Sequence, residues 1–157
     1  MDDVLESFAN ICHARGLVVR SPASQAEVDA FERQHRCLPT DMKKFYLRID
    51  GMLDQLDDVM DIRIWTLSEI GSIPEKWPEA HVPDGDPKDW YVFADALVSA
   101  WGYAIRLCPE GSESNDVLLI GSTRPTVVAG TFHEFLAKYL AGDRSLLPSE
   151  AASRGAT

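Results

Sequence analysis

The apolar residues of this chain change their spacing at Gly51. Before that residue, apolar side chains recur with the period of an amphipathic helix. After it, Met60, Ile62 and Ile64 alternate with charged residues, which is the period of a half-buried strand. Strands that follow one another through short links pair antiparallel, and helices then pack on the sheet. The change of period therefore predicts an α+β domain.

Three helices are predicted on the N-terminal side of Gly51. The first covers residues 2–15. The second begins at Ser24, which forms a capping box with Glu27 because each side chain can bond a backbone N–H of the other residue. The third is predicted to be capped by Thr40 and to end before Gly51.

The remaining predicted elements are strands and one helix. Strands are expected at residues 60–64, 90–94, 101–107 and 117–120. A second capping box, from Thr131 to Glu134, begins a final helix that ends at Gly142. The expected fold is α+β, with a mostly antiparallel sheet of about four to six strands. The N-terminal helices and the C-terminal helix are expected to pack around that sheet.

The chain is expected to form a single domain over residues 1–142. Its 157 residues are 45% apolar and 25% charged, which is enough apolar material for a proper core. Residues 143–157 are rich in Ser, Ala, Gly and charge and show no periodicity. They are predicted to form a flexible C-terminal tail.

Nearly all of the negative charge lies in one third of the chain. Twelve acidic and three basic residues lie between Asp50 and Asp95, which gives this stretch −9 of the net charge of −10. Such a field repels phosphate backbones and attracts basic proteins, so a protein partner is expected and nucleic acid is not. The alternative is a solvated face that only keeps the protein soluble. The acidic residues predicted to bind a partner are Asp54, Asp57, Asp58, Asp61, Asp84, Asp86 and Asp89.

Trp77 is a further candidate binding residue. It lies between Lys76 and Pro78, in a stretch with four prolines that predicts a long, rigid connection over residues 73–88. An aromatic side chain surrounded by acidic residues is typical of an interface hot spot. The alternative is that Trp77 folds back and covers the sheet.

The sequence contains no pattern typical of a catalytic or metal site. It has neither of the glycine-rich phosphate-binding motifs. His133 and Glu134 begin a zinc-helix pattern, but Ala137 occupies the position of its second histidine. Asp84 and Asp86 lack the ligand spacing of a calcium loop. We therefore expect no catalytic residue, no bound metal, no cofactor and no enzymatic activity.

The chain is expected to be cytoplasmic. It begins Met1-Asp2-Asp3, which is acidic where a secretory signal is basic, and it has no apolar run long enough to span a membrane. Its three cysteines form no CxxC pair. We interpret Cys12, Cys37 and Cys108 as free thiols in a reducing compartment.

Five segments, taken in order, resemble the SUKH superfamily, also called the Smi/Knr domain family. They are an opening helix at 23–32, a Leu-Pro pair running into a helix at 37–46, the turn at 49–51, a strand-to-turn segment at 64–70, and a terminal helix at 128–140. Together they extend from about Ser21 to Gly142. Asp50 stands where the family commonly has Asn before Gly51, and the acidic stretch 73–88 follows no pattern of the family.

The resemblance implies an α+β domain without enzymatic activity. Bacterial members of this superfamily typically act as immunity proteins, each of which binds and neutralises a toxin made by the same cell. Many of these toxins act on nucleic acid and must be basic at the active cleft, so an acidic surface would be complementary. The expected function is therefore an immunity protein of a polymorphic toxin system, with a basic cognate toxin as its partner. The alternatives are a regulatory or scaffolding module without a toxin, as in fungal members, and a small metal-dependent hydrolase.

Overall fold

The computed structural model describes residues 2–16, 19–53, 61–83, 85–96, 100–111, 115–121 and 124–148. The α-helices in these ranges are α1 (Asp2–Ala14), α2 (Gln25–Gln34), α3 (Thr40–Arg48), α4 (Ile73–Lys76) and α5 (Phe132–Leu140). The strands are β1 (Ile62–Ile64), β2 (Gly71–Ser72), β3 (Trp90–Ala96), β4 (Trp101–Arg106), β5 (Val117–Ile120) and β6 (Thr126–Ala129). Short 3₁₀ helices lie at Leu67–Glu69, Pro87–Asp89 and Arg144–Leu146.

The strands form one antiparallel sheet in the order β1-β3-β4-β5-β6, and β2 also pairs with β3. The long strand β3 is shared: its C-terminal end pairs with β1, where Ala96 faces Ile62, and its N-terminal end pairs with β2, where Val92 faces Gly71. Strands β3 to β6 are neighbours in the chain and in the sheet, as expected for strands joined by short links. The predicted α+β fold is confirmed.

Alternate residues of the strands face two separate apolar clusters. On the first face, Phe93 and Tyr103 pack against α5, where the Phe135 ring lies 5.2 Å and 5.0 Å from theirs. The same cluster includes apolar residues of α1, α2 and α3. Because the side chains of a strand alternate, Val92 and Ala104 point to the opposite face. No helix in the described part of the chain is long and apolar enough to cross a membrane.

The helix caps follow the sequence prediction at Ser24 and depart from it at two other positions. The Ser24 capping box forms as predicted. Thr40 is instead the first helical residue of α3, and Pro39 occupies the cap position without a side-chain hydrogen bond. At α5, Thr131 caps Glu134, but the Glu134 carboxylate accepts its bond from the Gly130 N–H at 2.7 Å. In the predicted capping box Glu134 would accept from the Thr131 N–H. It accepts instead from the N–H of the preceding residue, Gly130.

The C-terminal segment packs on the core beyond the predicted boundary at residue 142. Leu146 and Leu147 are both buried in the first apolar cluster. The Tyr103 hydroxyl donates a 2.8 Å hydrogen bond to the Leu146 carbonyl, which satisfies a buried polar group on each side. Burial of two leucines outweighs the polar composition of this segment. The packed part of the chain thus includes residues that the sequence analysis assigned to a flexible tail, and residues 149–157 lie outside the described structure.

Candidate functional site

Two of the acidic residues in the charged third of the chain are structural. Asp50 and Asp95 are only 2% and 3% exposed. The Asp50 carboxylate accepts a 2.7 Å bond from the Leu67 N–H and pairs with Arg20 at 3.2 Å. The Asp95 carboxylate accepts a 2.7 Å bond from the Trp65 indole. These two carboxylates are buried and bonded within the domain, so they contribute little to the electrostatic field outside it.

Asp89 is also engaged within the molecule. Its carboxylate pairs with the Arg36 guanidinium at 2.8 Å and lies 3.9 Å from that of Arg106. Two neighbouring cations neutralise a carboxylate that the sequence analysis assigned to partner binding. Asp86 remains exposed, and its side chain caps the following 3₁₀ helix by accepting from the Lys88 N–H at 2.9 Å. We therefore remove Asp89 from the candidate binding residues and keep Asp86.

The described candidates Asp61 and Asp86 lie near opposite ends of β3. Asp61 precedes β1, which pairs with the C-terminal end of β3. Asp86 precedes Trp90, at the N-terminal end of the same strand. A strand of this length spans about 20 Å, which separates the two groups. The single acidic surface stays a prediction, because Asp54, Asp57, Asp58 and Asp84 lie outside the described residues.

Trp77 is buried under the second face of the sheet instead of being exposed. Its side chain is 8% exposed and packs in a cluster with Ile73, Val92 and Leu118. Its ring lies so close to Gly102 that a Cβ added there would come within 2.9 Å. The proline-rich stretch therefore covers the sheet, which is the alternative that the sequence analysis left open. Trp77 is withdrawn as a binding residue.

Strand β1 (Ile62–Ile64) forms one edge of the sheet, which we call the β1 edge. The most acidic segment of the chain, residues 53–61, begins and ends at this edge. The Met52 N–H donates a 2.8 Å bond to the Ile64 carbonyl, so the chain on either side of this segment is held together. Leu53, the last described residue before the segment, is 51% exposed. Residues 53–61 contain four aspartates and no basic residue. The two described ends of this segment, Leu53 and Asp61, are therefore both joined to the β1 edge.

An ion-pair network stiffens this edge. The Arg63 guanidinium donates to the Met52 carbonyl at 3.1 Å and to the Glu69 carboxylate at 3.0 Å. Glu69 also accepts from the Thr66 N–H at 2.9 Å. Burial alone would raise the pKa of Glu69, but the bonds from Arg63 and Thr66 outweigh it and hold the pKa below its usual value. The charged form of Glu69 is therefore a stabilising part of the edge.

Replacing Glu69 with Gln is expected to lower the free energy of unfolding by about 1 kcal/mol at pH 7, because a charge-assisted pair on a partly exposed side chain is lost. A lowered folded-state pKa stabilises above the unfolded pKa, so the difference from wild type should shrink as the pH falls through the folded pKa. Urea unfolding between pH 3 and 7 measures it. A difference that stays constant over this range would contradict the assignment.

A cavity of about 360 Å³ lies beside this edge, between α2 and the 3₁₀ helix that follows β1. Its lining includes Phe31 and Leu67, with Arg20, Glu27 and His35 around them. The cavity has an apolar floor and charged groups of both signs, so it suits the side chain of a partner protein. The sequence does not reveal this cavity, because the lining residues come from separate segments of the chain. The capping box at Ser24 and the turn before Gly51 mark two of those segments.

Asp50 forms one wall of this cavity. Burial raises the pKa of Asp50, although the Leu67 N–H and Arg20 act in the opposite direction. Both of its oxygens have partners, the Leu67 N–H and Arg20, so Asp50 holds the turn before Gly51. Within the described residues, no three His, Cys, Asp or Glu side chains come together to hold a metal ion.

Comparison with known protein families matches residues 22–138 to the SMI1 / KNR4 family (SUKH-1). No match was found among curated proteins. The matched region runs from the segment before α2 into α5 and includes the β1 edge and all of the cavity lining except Arg20. The resemblance inferred from five short segments is thus confirmed over most of the chain. This protein belongs to the SMI1 / KNR4 family (SUKH-1).

Proposed function

We propose that this protein is an immunity protein that binds and neutralises a cognate toxin without catalysing a reaction. The observation that carries the proposal is the family membership over residues 22–138. The concentration of negative charge in one third of the chain supports a basic partner, such as an enzyme that acts on nucleic acid. The toxin is blocked by occupation of its surface, so the immunity protein needs no reactive group of its own.

The proposed contact region is the β1 edge together with the cavity between α2 and the adjacent 3₁₀ helix. Asp54, Asp57, Asp58 and Asp61 lie in the segment attached to this edge. Their charges would accelerate encounter with a basic surface, and the cavity would receive a side chain of the toxin once the two proteins are in contact. Asp86, which lies near the start of β3, would add a second, weaker acidic contact, and Asp84 is a further candidate from the sequence alone.

The test is co-expression with the product of the neighbouring gene. An immunity gene lies next to the gene of its toxin, and we expect this protein to restore growth to cells that produce that toxin and to co-purify with it. Rescue by an unrelated acidic protein of similar size would show that charge alone protects the cells. If the neighbouring product is not toxic and the two proteins do not associate, the regulatory alternative replaces the proposal.

Reversing three charges in the acidic segment tests the contact region. We expect Asp54→Lys, Asp57→Lys and Asp58→Lys together to slow association with the toxin by about tenfold or more at low salt, because electrostatic steering is lost. The dependence of the association rate on ionic strength should also flatten. Stopped-flow measurements across a range of salt concentrations report both quantities.

The matched control carries the same change of net charge elsewhere on the surface. Glu6, Glu110 and Asp116 are exposed and lie outside the segment and α2, so their combined replacement with Lys leaves the proposed contact region intact. This control is expected to slow association only slightly. Equal slowing by both variants would mean that net charge, and not the β1 edge, steers the encounter.

A further inference from the structure

Cys37 and Cys108 lie opposite each other in an isolated antiparallel bridge. Cys37 is in the link between α2 and α3, and Cys108 begins the turn that follows β4. Residues paired in this way have Cα atoms about 4.5–5.5 Å apart and side chains on the same face. A disulfide requires a Cα separation of about 4.4–6.8 Å. The backbone therefore already holds these two cysteines at a distance that a disulfide can bridge.

Both thiols are free and partly exposed, whereas the third cysteine, Cys12, is buried in α1. The Cys37 thiol donates a 3.2 Å hydrogen bond to the Pro109 carbonyl, in the turn that contains Cys108. A rotation of the Cys37 side chain would move its sulfur away from Pro109, and an approach of about 1 Å between the two Cβ atoms would complete the geometry. Reaction with a small soluble oxidant needs no unfolding of the domain.

We propose that Cys37 and Cys108 form a thiol-oxidation site that closes to an intramolecular disulfide when the protein meets a low-molecular-weight disulfide such as oxidised glutathione. One cysteine thiolate attacks a sulfur of glutathione disulfide and releases one glutathione thiolate, which leaves a mixed disulfide on the protein. The second cysteine thiolate then attacks the protein sulfur and releases the second glutathione. Two electrons pass to glutathione disulfide, and the two protons of the cysteines end on the two released thiols.

The surroundings of Cys37 set the rate of this exchange. Burial raises the pKa of Cys37, and the nearby Glu32 carboxylate raises it further, while Lys43 acts in the opposite direction. Fewer thiolates are present at neutral pH than for an unperturbed cysteine, and the thiolate is the attacking species. Closure is therefore expected to be faster at pH 8.5 than at pH 7.

The disulfide would join the helical layer to the sheet. It would close a loop of about 70 residues, which restricts the unfolded chain strongly. For a domain of this size the expected rise in Tm is about 10 °C. The inference is independent of the proposed function, because it concerns only the fold of the free protein.

The test uses the full-length protein, incubated with oxidised glutathione, then unfolded in urea and alkylated so that the buried Cys12 is also accessible. Peptide mapping without reductant should find Cys37 joined to Cys108 and alkylation at Cys12 alone. The Tm should rise by about 10 °C and return to its starting value after reduction with dithiothreitol. Glutathione adducts that remain on both cysteines, a cross-link to Cys12, or a dimer joined through these thiols would each overturn the proposal.

Three variants separate the disulfide from other effects of oxidation. Cys37→Ser and Cys108→Ser should each abolish the rise in Tm, because either change removes one partner. Cys12→Ser should keep the rise, since Cys12 takes no part in the bridge. Cys37 and Cys108 are partly exposed, so both Ser variants are expected to fold. A rise in Tm that persists in Cys108→Ser would also overturn the proposal.

Discussion

Replacing Gly51 with Ala is expected to lower the free energy of unfolding by about 4 kcal/mol, one of the two largest effects of any change considered for this protein. Gly51 has a φ of +75°, and a Cβ added to it would collide with the Trp65 carbonyl oxygen and lie 2.6 Å from the Thr66 nitrogen. The strained backbone conformation and the collision with backbone atoms both act against the substitution.

The obstructing atoms cannot move aside easily. The Trp65 carbonyl accepts a 2.8 Å bond from the buried Tyr46 hydroxyl, and the Trp65 N–H donates a 2.8 Å bond to the Phe93 carbonyl in β3. Relief of the contact would break one of these bonds or separate Met52 from β1. The loss should appear as a lower midpoint in urea unfolding with an unchanged slope.

Gly16→Ala is the matched control for this prediction. Gly16 also has a positive φ, of +65°, but a Cβ added there would meet nothing within 4 Å. Only the backbone strain remains, and the expected loss is about 1 kcal/mol. Similar losses in the two variants would show that the close approach of Gly51 to Trp65 does not determine its requirement for glycine.

Trp77→Ala is expected to lower the free energy of unfolding by about 3–5 kcal/mol, the other large effect. The side chain is nearly fully buried and covers the second face of the sheet beside Ile73, Trp90 and Ile120. Its removal would leave a cavity that the short helix α4 can fill only in part. Thermal unfolding followed by circular dichroism measures the loss.

Two further variants test the packing of Trp77 specifically. Val127→Ala changes a residue that is 54% exposed and should alter stability by no more than about 0.5 kcal/mol. Gly102→Ala should be destabilising beside Trp77, because its Cβ would lie 2.9 Å from the ring, and should cost much less in the Trp77→Ala background. Additive losses in the double variant would contradict the contact.

At temperatures where Trp77→Ala is folded, its affinity for the toxin should be unchanged.

Local signals in the sequence predicted much of the fold. The Ser24 capping box depends on four consecutive residues, and the alternation of Tyr103 and Ile105 with small residues marks β4 without any knowledge of its neighbours. Strands β2 and β6 were missed. Two residues are too few for a pattern in β2, which exists because Gly71 and Ser72 pair with Val92 and Tyr91. Strand β6 follows Pro125, and its last two residues, 128 and 129, fall in the segment that resembles the family's terminal helix.

The site could be predicted only in part, because a charge in a sequence does not reveal its partner. Asp95 is bonded to Trp65 and Asp89 to Arg36, and neither partner is a neighbour in the chain. The burial of Trp77 could not be predicted for the same reason. It depends on Gly102 in the later strand β4, which has no side chain and leaves room for the Trp77 ring. The acidic character was evident from composition, while its division into buried, paired and exposed carboxylates required the tertiary structure.

The central claim is that this protein neutralises a toxin by direct binding. The most direct measurement is titration of the proposed toxin, the purified product of the neighbouring gene, with this purified protein while the toxin's activity is followed. The proposed function predicts complete inhibition at one equivalent and co-elution of the two proteins as a single complex in size-exclusion chromatography. Full toxin activity in the presence of a tenfold molar excess, with the two proteins eluting separately, would contradict it.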